Sequence, residues 1–121
     1  MSLNSFVLLD TTVYGESSGN YDGSSQDFAG NAVVAADYYA GYGSIQTITI
    51  SVTDFVGNIQ IQGTLNDQVE SAAWFVCDSF GDGTTPTTET HPITLVGNFV
   101  FLRARVTGFD AGTINSITIS Y

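Results

Sequence analysis

The chain has no lysine and only two arginines, Arg103 and Arg105, against nine aspartates and three glutamates. Its formal net charge is −10 over 121 residues. Nucleic-acid backbones and anionic membranes are held by several clustered cations, so neither is expected as a partner. Charge of either sign is scarce, at 12% of residues, about half the usual share. A single cysteine, Cys77, excludes an internal disulfide framework. The one histidine, His91, precedes Pro92, and no feature ties it to Cys77 or to a serine nucleophile. No apolar run approaches the ~18 residues of a membrane helix. The first ten residues lack the basic segment that opens a signal peptide. A chain made in a reducing cytoplasm and held together by its core is therefore expected.

What is present is a β composition. Apolar residues make up 43% and aromatics 12%, enough for one core in one domain spanning residues 1–121. Ser and Thr together number 27 and supply most of the polar surface. Period-two alternation dominates. In residues 47–52, Ile48, Ile50 and Val52 alternate with Thr47, Thr49 and Ser51. Residues 58–65 repeat the pattern, with Ile59, Ile61 and Leu65 inward and Gly63 as a candidate bulge. In residues 98–106, Val100, Leu102, Ala104 and Val106 form one face, and Phe99, Phe101, Arg103 and Arg105 the other. Ile117 and Ile119 close the chain in the same rhythm, and 6–9, 32–36, 72–76 and 92–96 are weaker strands. The expected core is Ile48, Ile50, Val52, Ile59, Ile61, Trp74, Val100, Leu102, Val106, Ile117 and Ile119.

Turn signals at 56–58, 96–98 and 110–112 read as strand ends, and 16–30 and 81–91 as polar loops. No window carries a helical apolar period. An all-β, antiparallel sandwich of about eight strands follows. Residues 1–44 are the less defined part, and strand 6–9 could act as an arm exchanged between neighbours.

Candidate chemistry is sparse. Cys77 sits in an apolar strand and reads as an inert buried thiol. Twelve carboxylates make accidental pairs inevitable and no acidic motif is present, so no catalytic residue is assigned. Asp78 and Asp82 flank a glycine-rich turn and Asp22-Gly23 is similar, but neither has calcium-loop spacing. Both read as solvated turns, and no metal site or cofactor is assigned. Tyr38, Tyr39 and Tyr42, interrupted by glycines, suit ligand binding, subunit contact or ordinary packing. The Phe99, Phe101, Arg103, Arg105 face admits two readings. One is cross-strand pairing of the arginines with aspartate; the other is an interface anchor, because Arg and Phe are enriched at interfaces.

The run 57–65 (Gly-Asn-Ile-Gln-Ile-Gln-Gly-Thr-Leu), then Trp74-Phe75, then 97–109 (Gly-Asn-Phe-Val-Phe-Leu-Arg-Ala-Arg-Val-Thr-Gly-Phe), then 112–117 (Gly-Thr-Ile-Asn-Ser-Ile) carries a resemblance. It resembles small β-sandwich virion proteins of tailed bacteriophages, especially those infecting cyanobacteria. More distantly it is similar to discoidin-like jelly rolls. The resemblance covers roughly residues 58–121 and does not reach 1–44. It implies a jelly-roll-like sandwich without enzymatic activity, located in the virion as a capsid decoration or cement protein. The implied partners are the major capsid protein, other virion subunits and copies of the chain itself in a homo-oligomer. Phe99, Phe101, Arg103 and Arg105, then Tyr38, Tyr39 and Tyr42, are the candidate interface residues. The rival is a tail-fibre or receptor- or carbohydrate-binding module, with Asp78 and Asp82 as its calcium ligands.

Overall fold

The computed structural model describes residues 5–35, 45–65, 73–97 and 99–120. All regular structure among them is antiparallel β: β1 (Ser5–Leu9), β2 (Thr12–Val13), β3 (Phe28–Ala29), β4 (Val33–Val34), β5 (Ile45–Thr64), β6 (Phe75–Phe80), β7 (Thr87–Val96) and β8 (Phe101–Ser120). The eight-stranded, all-β architecture is the one the alternation predicts.

Two strands organise the fold. β5 and β8 have 20 residues each and pair along nearly their whole length. Straight, each would run about 66 Å at ~3.3 Å per residue, against a diameter of about 35 Å for a domain of this size. They must bend. The β5–β8 register slips at 51/52, 53/56 and 56/58, and Asp54 has φ 50° in the same stretch. Gly112 has φ 90°, and a Cβ there would collide with the Asp54 carbonyl. Phe55 and Phe109 fill the inside of the bend, their rings 5.7 Å apart. The turn signals at 56–58 and 110–112 are thus bulges inside long strands rather than strand ends. Glycine and aspartate satisfy the backbone of both.

The bend divides the sheet into two layers. One has the order β1-β8-β5-β7, using the end of β8 and the start of β5, with Ile48 opposite Ile119 and Ile50 opposite Ile117. The other places β3 and β4 beside the start of β8, and β6 beside the end of β5. The layers meet along one side where Gly30, donating its N–H to the Ala104 carbonyl at 2.8 Å, presses on the Leu8 carbonyl of β1. Along the other side, Gly97 after β7 touches the Phe99 ring, which also packs on Gly63 near the end of β5. The result is sandwich-like, with Leu8, Ile48, Ile50, Val52, Ile117 and Ile119 of one layer buried against Ile59, Ile61, Leu102, Ala104 and Val106 of the other.

Several expectations are corrected. Trp74 is not core: β6 begins at Phe75, its inward residue is Phe80, and Trp74 lies half-buried outside the sheet. Val100 is half-buried and Leu65 is 66% exposed, because each lies just beyond the end of its strand. The segment 16–30 is more than a polar loop. Ser18 and Tyr21 exchange two backbone hydrogen bonds of 2.9 Å, which turn the Tyr21 ring into the core against Phe28 and Phe109. Its hydroxyl accepts from the Gly15 N–H at 3.0 Å. Residues 87–91, expected as loop, form the start of β7. They lack an apolar rhythm because β7 pairs only with β5 and its side chains there face water. β1 pairs with β8 of its own chain.

Candidate functional site

The start of β8 turns Leu102, Ala104 and Val106 into the core and leaves Phe101, Arg103 and Arg105 half-buried on the outer face. Their opposite residues on β5 are Thr64, Gln62 and Gln60. Arg103 Nε donates to Gln62 Oε1 at 2.8 Å, and Gln62 Nε2 donates to Gln60 Oε1 at 3.3 Å. The Arg103 guanidinium stands 4.3 Å over the Trp74 ring, a cation–π arrangement. Desolvation, and secondarily the neighbouring Arg105 charge, push the Arg103 pKa down.

Among the described residues neither arginine pairs with an aspartate, the first of the two readings of this face. Among the described residues the one ion pair joins His91 and Glu89, 3.3 Å apart. The reason lies on the opposing strand, which presents glutamines where the alternation sets its outward positions. Phe99 leaves the arginine face. It precedes β8 and tucks over Gly63 and Gly97, with its ring 5.8 Å from that of Phe75. Tyr38, Tyr39 and Tyr42 lie outside the described residues.

The remaining reactive groups do not converge. Cys77 is half-buried, and burial pushes its thiol pKa up, which opposes nucleophilic use. It sits on β6, whereas His91 sits on β7, and these strands pair with opposite halves of β5. Asp22 and Asp82 each cap their own turn. Asp22 Oδ1 accepts from the Ser24 and Ser25 N–H groups, and Asp82 Oδ1 from those of Thr84 and Thr85, at 2.7–2.9 Å. These bonds hold both carboxyls at about 2. Asp78 likewise accepts from the Ser79 N–H. Among the described residues no three His, Cys, Asp or Glu side chains group as a metal site. A groove of about 310 Å³ beside β1 and β2 is lined by Leu9, Asp10, Thr11, Thr12, Ser18 and Gly19. It has no aromatic platform for a sugar.

The bend also sorts the surface, a feature invisible in the linear pattern. Asp54 and Asp110 lie on the bend itself. Asp27 accepts from the Gly108 N–H, Asp82 follows Gly81 and precedes Gly83, which donates to the Gly57 carbonyl, and Glu89 stands opposite Val52. Glu16 and Asp22 join them through Tyr14, bonded to Gly112, and Tyr21, packed on Phe109. Seven of the nine described carboxylates therefore gather at the bend. At the opposite, open end are Ile45, paired with Val96, and Leu65, Phe75 and Val76, 43–71% exposed. Phe6 and Val7 of β1 lie on the same end. Asp37, Asp67 and Glu70 lie outside the described residues. Comparison with protein-family models, with curated proteins and with solved structures finds no match to this chain.

Proposed function

We propose that the protein is a non-enzymatic structural component of a tailed-phage virion, decorating or cementing the capsid shell. The observation that carries this reading is the arginine face. The chain's only two cations stand two residues apart on one outer surface, with glutamine and tryptophan as neighbours and no ion pair to a described carboxylate. In a chain of net charge −10, such a face is the one place where an acidic partner surface is attracted rather than repelled. Phe101 beside it adds apolar contact of the kind enriched in interface cores. The virion-like runs at 57–65 and 97–109 support the same reading, since they form the end of β5 and the start of β8 that build this face. Many weak contacts of this kind on one particle give avidity without a large single interface.

The test is co-sedimentation with virus particles, with copies per particle counted by mass spectrometry. Hundreds of copies are expected for a decoration protein. A few to a few dozen would move the protein to a tail or fibre, where a glycan array with and without EDTA tests receptor binding. Absence from particles refutes the virion reading.

A further inference from the structure

We infer that Arg103, Gln62, Gln60 and Arg105 form a carboxylate-binding site whose occupant is an extended protein segment with acidic side chains at alternate positions. The inference deepens the reading of the arginine face given above and rests on it: it names the chemistry and the form of the partner. The hydrogen bonds of this face run in one direction. A guanidinium can only donate, so Gln62 must turn its Oε1 to Arg103 Nε, 2.8 Å away. Gln62 Nε2 is then the group left to donate, and it does so to Gln60 Oε1 at 3.3 Å. Both amide oxygens are thus engaged, and each amide orientation is fixed by the one before it. Three sets of donors are left over. They are Gln60 Nε2, the terminal nitrogens of Arg103, and the guanidinium of Arg105, which makes no ion pair among the described residues.

The neighbours leave these donors to an outside acceptor. Across the sheet, Arg105 and Gln60 lie in a row with Ala29 of β3 and Ser79 of β6, and Arg103 and Gln62 in the next row with Val76 of β6. Opposed residues share a face, and none of these is acidic. Asp27, just before β3, is engaged by the Gly108 N–H at 3.0 Å and pairs with neither arginine. Arg105 and Gln60 also stand four residues in from the Phe101–Thr64 pair at the end of the ladder, about 13 Å at ~3.3 Å per residue. The planar fork of a guanidinium matches a carboxylate. The two forks stand two residues apart on one strand, about 6.6 Å. That is the spacing at which any extended chain presents alternate side chains on one face. A segment with acids at positions i and i+2 therefore meets both arginines in register. A sugar has less to stack on, because Arg103 already covers one face of the Trp74 ring at 4.3 Å.

Trp74 is the chain's only tryptophan and lies against Arg103, so its emission reports on the site. The probe is a threonine peptide carrying glutamate at every second position, titrated into the purified chain. A saturable change in emission is expected, weakened by added salt. A peptide with the same number of glutamates at every third position is expected to bind roughly tenfold more weakly. Arg105→Ala removes one fork. Gln60→Glu keeps the size of the side chain and turns the leftover donor into an acceptor beside Arg105. Each is expected to weaken binding roughly tenfold or more. Both side chains are half-buried on the outer face, so circular dichroism should remain that of wild type. Thr90→Glu, which adds the same charge on β7 in the other layer, is expected to bind as wild type does. No saturable change, equal binding of the two spacings, or tighter binding of polygalacturonate than of the peptide overturns the inference. So does binding insensitive to Arg105→Ala and Gln60→Glu, or weakened as much by Thr90→Glu. The virion reading fails separately: a chain absent from particles that still binds the alternating peptide refutes that reading alone, and a chain present on particles that ignores the peptide refutes this inference alone.

Discussion

The bend of β5 and β8 makes a quantitative prediction through Gly112. The residue has φ 90°, and an added Cβ would run into the Asp54 carbonyl and the Phe55 Cα of the facing strand. Gly112→Ala therefore incurs two costs. The positive φ alone costs an L-residue roughly 1–2 kcal/mol. Moving the β5 backbone away at the bend adds about 1–3 kcal/mol, as overpacking does elsewhere. Gly83 separates the two terms. Its φ is 83°, but a Cβ there meets nothing within 4 Å, so Gly83→Ala incurs only the conformational cost. Urea denaturation followed by circular dichroism measures both. The expected losses are about 1–2 kcal/mol for Gly83→Ala and about 2–5 kcal/mol for Gly112→Ala, a large share of the ~5–15 kcal/mol that holds an ordinary domain. Equal losses would show that the strands do not approach at the bend as described, and the two-layer arrangement would fall with that approach.

The two turn-capping aspartates predict an acid limb. Asp22 and Asp82 titrate at about 2 in the folded chain against 3.8 unperturbed. A depressed carboxyl pKa contributes stability that is present above the unfolded value and lost as pH falls through the folded one. The melting temperature should therefore decline between about pH 4 and pH 2, and Asp22→Asn with Asp82→Asn should start lower at neutral pH and decline less. An unchanged acid limb in that variant would refute the assignment. Arg103→Ala with Arg105→Ala removes the Trp74 stacking and the Gln62 hydrogen bond, a loss of about 1–2 kcal/mol on a half-exposed face. The variant should stay folded, shift its tryptophan emission, and bind particles more weakly. Unfolding would instead make the arginine pair structural.

Where one face of a strand is buried along its whole length, the sequence predicts it well. Ile48, Ile50, Val52, Ile59, Ile61, Leu102, Val106, Ile117 and Ile119 all lie where a period of two puts them. The period says nothing about whether a strand continues. A Gly-Asp signal reads the same whether the chain reverses or merely bulges, so β5 and β8 each appear in the sequence as two strands. Nor does local polarity report what a segment packs against. Tyr21 is 1% exposed from within a run of Ser, Gly and Asp, because its partners Phe28 and Phe109 come from elsewhere in the fold. Trp74 shows the reverse: its apolar neighbours suggest burial, but a strand that starts one residue later leaves it outside. The candidate site was legible as a face and not as a set of partners. Alternation places Phe101, Arg103 and Arg105 together, while their glutamine neighbours depend on a register that only the fold supplies.

The two-ended surface follows from the same local rules. A pair of long strands folded on itself needs residues that accept bulges and positive φ at the fold, and these are Gly, Asp and Asn. Aspartate brings charge with it, so Asp54 and Asp110 mark the bend for conformational reasons as much as electrostatic ones, and the loops that lean on it add Asp22, Asp27 and Asp82. At the other end the strands run out with their β-branched and aromatic side chains still alternating, and Ile45, Val76 and Val96 extend past the cover that the opposite layer provides. Among the described residues, separation of acid from apolar surface therefore follows from bending one long strand pair on itself.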